Sequence, residues 1–434
     1  MATALKKMVS RGCMAWAGRA AAIILLLAPA GTGCPDSGPA DEDAETDAGQ
    51  DAAAEDMPPP ELPAFTASLS DPVRVVPSSS LPDEAETQAG NNNLDIIEFD
   101  GRLFLAFRTA PDHFASPEAR IHVVSSADDG ETWDYEHTFF LETDLREPEF
   151  MALEGRLILY FAVLGRDPTA FVPQGMKVSA RDGEGNWSAD EWSYLEGFMP
   201  WRARVIDDVA YLIGYMGGGD IYGSDDKVIK VHWLTTEDGT TWEPVIPDQP
   251  VVLEGGVSET DFAFLEDGSL VAVGRNEAGD EAGFGSKICR ARPDALGEWT
   301  CVADPKKYDS PLVFMHEGVP FLIGRRNVSE TGNFDLGYDH LSPEEQFFQY
   351  SLDYWDRPKR CAVWQIDPYG MSIEFVIDLP SRGDTCFPTA VPKGGGDFLV
   401  YNYSSPLNGE DLGWLDGQRG PTAIYSVVLT LQEQ

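Results

Sequence analysis

Positive charge is scarce in this chain of 434 residues: 31 lysines and arginines stand against 73 aspartates and glutamates, a formal net charge of −42. No basic footprint for a phosphate backbone can be found, which argues against nucleic acid as a partner. Cysteine is nearly as rare, with six in all and no CxxC pair, and HExxH is missing too. No zinc site is therefore expected, and nothing in the chain implies a cofactor. The apolar run AAAIILLLAPA (20–30) is too short to span a bilayer comfortably.

That run reads as part of an export signal, because Lys6, Lys7, Arg11 and Arg19 precede it and Gly31, Thr32, Gly33 and Cys34 follow. Small residues before a cysteine resemble a bacterial lipobox, which would make Cys34 the lipidated N-terminus and anchor the protein on a membrane. Gly31 stands where leucine is usual, so ordinary signal cleavage is the alternative. Residues 35–62 are mostly acids, Ala, Gly and Pro, without an aromatic. Such a segment cannot bury enough apolar area to offset its ordering entropy, so an acidic disordered tether is expected. Residues 63–434 carry the Trp, Tyr and Phe of a large core, in what should be a monomer facing the periplasm or the outside.

The body repeats itself. Six segments each place β-prone residues on both sides of an acidic or glycine turn: LDIIEFDGRLFLAFR (94–108), EFMALEGRLILYFAV (149–163), RARVIDDVAYLIGYM (202–216), DFAFLEDGSLVAVGR (261–275), PLVFMHEGVPFLIGR (311–325) and PTAVPKGGGDFLVYNY (388–403). Each reads as a hairpin, and the spacing leaves room for a second, outer hairpin in every copy. A second motif falls there. Ser126, Asp128, Gly130, Thr132 and Trp133 form one copy, and Thr235, Glu237, Gly239, Thr241 and Trp242 another, with echoes at 180–187 and 292–299. Export makes disulfides reasonable, with Cys289 and Cys301 bracketing one hairpin and Cys361 and Cys386 the remaining pair.

The SxDxGxTW pattern resembles the Asp-box of the sialidase and BNR-repeat propellers. The resemblance implies an all-β, six-bladed β-propeller of four-stranded antiparallel blades, with strand material from 66–80 completing the ring. Residues ahead of each innermost strand should line one mouth of the channel. Seven positions beyond each inner turn stand Arg108, Ala162, Tyr215, Arg275, Arg325 and Asn402, so three arginines share one register. Arginine's fork matches a carboxylate. Pairing with local acids such as Asp261, Glu277 or Asp309 is the competing reading.

A sialidase holds its sugar's carboxylate with three arginines, and SETDFAFLEDGSLVAVGR (258–275) is similar to the family segment with the catalytic glutamate and one of them. The resemblance makes Glu259 that glutamate, Arg275 and Arg325 triad members, and Asp112 the acid, with His113 as its competitor. Arg108 would complete the triad. GDTCFPTAV (383–391) resembles the stretch carrying the family's tyrosine nucleophile, but the position holds Phe387. Tyr403, Tyr401 or Tyr215 would have to replace it. DLREPEF (144–150) adds Arg146 and Glu147 at a blade entrance, and Glu147 with Glu259 could form an ordinary carboxylate pair. Trp201 is a candidate platform for a sugar face, with a buried packing residue as the alternative.

Three functions follow as expectations: an exo-acting glycoside hydrolase on an acidic sugar, a glycan-binding propeller without catalysis, and a carboxylate-pair glycosidase on neutral or uronic sugars. The anchor has its own test. Replacing Cys34 with Ala should move the protein from the detergent phase to the soluble fraction of expressing cells; an unchanged partition would leave ordinary signal cleavage.

Overall fold

A computed structural model describes residues 62–218 and 228–434. The export signal, Cys34 and the tether up to residue 61 lie outside the described residues.

Six antiparallel sheets form a β-propeller. From the axis outward, the first blade runs Gly90–Phe99, Arg102–Ala110, Arg120–Ser126 and Asp134–Phe139, and the second Leu145–Leu153, Arg156–Leu164, Pro173–Arg181 and Glu191–Ser193. The third runs Met199–Ile206, Val209–Gly217 and Ile229–Thr236, its outer edge shared by Glu243–Pro244 and Val251–Gly255. The fourth runs Val257–Phe264, Leu270–Asn276, Ser286–Ala291 and Thr300–Asp304, and the fifth Asp309–His316, Val319–Asn327, Lys359–Asp367 and Ser372–Asp378. The sixth runs Thr389–Gly394, Asp397–Ser404 and Ala423–Glu433, then takes Phe65–Leu69 and Val73–Val76 from the other end of the chain. The strand material expected to complete the ring does so here, pairing Phe65 with Glu433 and Leu69 with Leu429.

Turn chemistry explains the inner hairpins. Asp100–Gly101, Glu154–Gly155, Asp207–Asp208 and Glu317–Gly318 all have both residues at positive φ. Such two-residue turns match the strands' right-handed twist, and acid–Gly pairs tolerate that conformation.

The outer turns hold neighbouring blades together. Asp128 Oδ1 accepts from the Thr132 N–H at 2.9 Å, its Oδ2 from the Thr132 hydroxyl at 2.6 Å, and Ser126 Oγ from the Gly130 N–H at 2.8 Å. The Thr132 hydroxyl and amide bonds hold the Asp128 carboxyl down at about 2. Trp133 is thereby laid edge-on to Tyr401 of the sixth blade. Gly130 sits at φ +90°, and a Cβ there would lie 2.6 Å from the Tyr401 hydroxyl. In the third blade the expected residues shift by one. Thr236 and Asp238, not Thr235 and Glu237, make the turn, because Asp238 Oδ1 accepts the N–H groups of Thr240 and Thr241, both at 2.7 Å. This turn is one residue shorter between its acid and its Gly, so the hydroxyl and carboxylate come from the next positions. Trp242 packs on Tyr160 of the second blade.

Cys289 is bonded to Cys301 across the outer hairpin of the fourth blade, and Cys361 to Cys386 between the fifth and sixth. A helix, Pro343–Asp356, interrupts the fifth blade between its second and third strands, with Ser342 and Glu345 forming a capping box at its start.

Trp133 is 5% exposed, so Trp133→Ala should cost about 3–5 kcal/mol in urea unfolding. A loss below about 1 kcal/mol would mean the turn does not carry the contact between first and sixth blades.

Candidate functional site

Innermost strands lose register at one level of the ring: between Asn92 and Leu94, Arg146 and Glu149, Pro200 and Arg202, Val257 and Thr260, and Asp309 and Leu312. At these bulges Asn93, Glu147 and Ser310 take φ of 37°, 49° and 54°, and Cys386 takes 84° just before the sixth blade. Left-handed backbone costs a non-glycine residue about 1–3 kcal/mol and gathers at functional sites. A bulge re-aims a side chain that regular pleating would send between the sheets. Here Asn93 Nδ2 donates to Glu147 Oε2 at 3.2 Å, and the Ser310 N–H donates to Glu259 Oε2 at 2.8 Å.

The three arginines occupy the predicted register on their second strands, with Arg108 opposite Asn92 and Arg325 opposite Asp309. Each is already engaged. Arg108 is wholly buried, donating to Asp144 at 2.6 and 3.1 Å, to Asn92 Oδ1 and to the carbonyls of Asp112 and Phe114. Arg325 donates to the Thr385 and Cys386 carbonyls and to Asp309, with its guanidinium 5.0 Å from the Trp414 ring centre. Arg275 meets Glu259, Glu277 and Asp309 together. The local-acid reading therefore holds for Glu277 and Asp309, whereas Asp261 pairs with Arg204 instead. Three free guanidinium groups do not converge.

Other candidates fare differently. Trp201 is completely buried, with its indole N–H on the Pro311 carbonyl and its ring against Phe387, so no sugar can stack on it. With Phe387, Arg202 and Glu149 it forms the floor beneath the mouth. Tyr403 is 1% exposed and donates to Asp384 at 3.0 Å; burial, then the Asp384 charge, pushes its phenol well above the usual range. A ready nucleophile would need the reverse. Tyr401 and Tyr215 are also buried, with phenols pushed up by burial. Asp112 spends Oδ1 on the Phe114 N–H at 2.9 Å, turning its own loop. Arg146 pairs with Asp144 at 2.5 Å and with the His113 carbonyl at 2.8 Å, not with Glu147.

Among the described residues Glu147 has no bonded cation; its Oε2 accepts from the Asn93 amide. Burial first, then the charge of Glu259, pushes it up to about 8, with Arg146 and Asn93 offsetting only part. Burial also raises Glu259, against the pull of Arg275 and the Ser310 N–H. Asp144 sits below the usual carboxylate range because Arg146 and Arg108 outweigh its burial. Two carboxyls of the same mouth thus meet opposite surroundings, one amide-bonded and one ion-paired.

Sequence reasoning missed Asp144, Asp384 and Tyr354, whose hydroxyl donates to Asp309. The first two stand inside the quoted segments DLREPEF and GDTCFPTAV; an acid at a blade entrance was their signal. Tyr354 lies on the inserted helix, and nothing in the repeat points to it.

The sequence matches no family model and no curated protein. Solved structures do resemble the propeller. A protein of unknown function from Dyadobacter fermentans superposes with a TM-score of 0.57 at 15% identity, covering 84% of this chain and 99% of that one. Trypanosoma rangeli sialidase gives 0.52 at 13% identity over 83% of this chain and 59% of its own. Phage phi92 endosialidase gives 0.54 at 11%, over 85% and 70%. The chain thus spans little more than half of the trypanosomal enzyme. The likeness is one of fold, a sialidase-like propeller.

The raised Glu147 makes a pH prediction. Folded protein holds this proton between about pH 4.5 and 8 while unfolded chain does not, so the group's stabilising effect is greatest below 4.5 and is lost as pH rises to 8. Glu147→Gln should remove that loss, leaving the variant more stable than wild type at pH 8 relative to pH 5 by on the order of a few kcal/mol. Parallel urea melts of the two proteins would refute the proton if their pH dependence coincided.

Proposed function

We propose that the channel mouth hydrolyses a glycosidic bond with a carboxylate pair: Glu147 as proton donor and Glu259 as the ionised partner. One observation carries this reading. Glu147 is a buried carboxyl, held in left-handed backbone and bonded to an amide rather than a cation, which keeps it protonated at neutral pH. Such a group gives its proton to the leaving oxygen as the bond to the anomeric carbon breaks. Arg275 and the Ser310 N–H pull Glu259 toward its charged form against its burial, and once ionised it offers negative charge to the positive charge developing on the sugar.

The neighbours support a glycan as ligand: two are named sialidase or endosialidase, and the trypanosomal enzyme has been solved with sialic acid. The arginines favour a neutral or uronic sugar over sialic acid, because Arg108 is out of reach and Arg275 and Arg325 already hold protein carboxylates. Phe387 agrees, since it cannot be the nucleophile. A second reading keeps an acidic sugar, because the Arg275 side chain is 17% exposed and could exchange Glu259 or Asp309 for a ligand carboxylate. Lipidation at Cys34 would hold this mouth at a bacterial membrane, on the periplasmic or outer face, as a monomer.

Fluorogenic neutral glycosides, uronides and a sialoside, offered to the full chain, separate the readings. Release from a neutral or uronic substrate, cut at least ~100-fold in Glu147→Gln and fading above pH 8, is expected. Release from the sialoside alone, lost in Arg275→Ala, would shift the function to acidic sugars. Silence across the panel, with a glycan still raising the melting temperature, would make the protein a receptor.

A further inference from the structure

The loop after the second strand of the first blade sets His113 among residues of three blades. The Arg146 guanidinium of the second blade donates to its carbonyl at 2.8 Å, its own N–H reaches the Gln418 carbonyl at 3.2 Å, and its ring lies 6.2 Å from that of Tyr403 in the sixth. Its Nδ1 stands 2.7 Å from Asp384 Oδ2. The side chain of Asp384 is 0% exposed and that of His113 15% exposed.

Asp384 is a fully used acceptor. Its Oδ1 takes the Tyr403 hydroxyl at 3.0 Å and the Trp414 indole N–H at 3.1 Å. Its carboxyl is held below the usual range: burial pushes it up, but His113, Arg325 and the Tyr403 bond outweigh that. An ionised carboxylate can only accept, so Nδ1 must carry the hydrogen and Nε2 keeps its lone pair. Among the described residues no hydrogen-bonding group engages Nε2. His122 differs, with Nδ1 on Thr138 and Nε2 on the Glu86 carbonyl. Burial, with Arg146 and Arg108 nearby, holds the His113 imidazole below its ordinary value against the pull of Asp384, so it is neutral at pH 7. Of the other charged groups of this loop, Asp112 is turned to the Phe114 N–H, and the Glu118 N–H is bonded to Ser116 Oγ.

We propose that His113 is the base of this mouth, taking a proton from the attacking water at Nε2, with Asp384 as its positioning residue. The inference rests on the reading of Glu147 as proton donor. As water oxygen bonds to the anomeric carbon, its O–H bond breaks toward Nε2, the bond to the leaving oxygen breaks, and that oxygen takes the proton of Glu147. One water is consumed, and imidazolium and carboxylate return to their starting states by exchange with solvent. A single displacement of this kind inverts the anomeric carbon. Glu259 then stabilises charge without forming a bond.

The test uses the full chain labelled with 15N-histidine, with Asp384→Asn and His113→Gln beside it, the latter also assigning the signal. Expected are an Nδ1–H tautomer at neutral pH, lost in Asp384→Asn, and inverted product by proton NMR from whichever glycoside of the panel is cleaved. His113→Gln should lower kcat at least ~100-fold while the limb near pH 8 stays. An Nε2–H tautomer, retained configuration, or an undiminished kcat in His113→Gln would overturn the proposal. A wild type inert to every glycoside would bring down the reading of Glu147 and the base with it, and the tautomer spectrum tells that result from a misassigned imidazole.

Discussion

Ring closure is the constraint on which everything else in this molecule depends. The strand Ala423–Glu433 pairs with Asp397–Ser404 on one side and with Phe65–Leu69 on the other, so the two ends of the described body meet in a single sheet. Six sheets around one axis cannot drift apart without breaking that sheet, and only short outer edges are left open. The Trp133 and Trp242 contacts add local fastening, each tying an outer turn to the preceding blade. Because the blades cannot slide, the innermost strands enter the mouth at one height. Their bulges can therefore bring Asn93, Glu147, Glu259 and Ser310 together from four separate sheets.

Crowding charged groups at such a mouth is expensive unless each is answered. Arg275, Glu259, Glu277, Asp309, Lys307 and Arg325 form one alternating network in which nearly every charge has a partner of opposite sign. Removing one member of such a network leaves another charge buried alone, commonly at about 3–5 kcal/mol. Fixed dipoles and charges of this kind need no reorganisation when a substrate arrives. The same arrangement explains why the arginines do not make a free clamp: their charge is spent on the scaffold's own acids. Glu147, answered by an amide alone, stands outside this balance.

Much of the fold was legible because it is written as repetition. Acid–Gly pairs between β-prone runs predicted the inner hairpins, and turns such as Asp100–Gly101 and Glu154–Gly155 adopt the positive φ that those residues permit. The outer turn was legible in kind yet misread by one residue at Thr236 and Asp238, since spacing alone does not say which of two adjacent acids caps the amides. The common register of Arg108, Arg275 and Arg325 was readable too. Glu277 and Asp309 were readable as partners from their nearness in sequence, but Asp144 was not, because it pairs with Arg108 from outside that arginine's blade. Bulges also hide from a pattern search. Glu147 looks like any strand residue until its backbone turns left-handed.

Phe387 and Trp201 bring these threads to one point. Phe387 stands where the resembled family has its tyrosine, and Trp201 reads as either a sugar platform or a packing residue; the two pack edge-on at 5.2 Å beneath the mouth. Arg202 lies over both rings and pairs with Glu149 at 3.1 Å, so the axis below the bulges is filled with side chains. A filled axis denies a ligand depth and leaves the bulge level and the loops above it as the place where chemistry can occur. There the groups able to move a proton are the buried carboxyls and the imidazole that Asp384 orients, because the nearby phenols of Tyr215 and Tyr403 are pushed away from ionisation by burial. The apolar ring at position 387 thus packs as part of the floor with Trp201 and Arg202. It closes the floor, so the groups a ligand can meet are those of the rim.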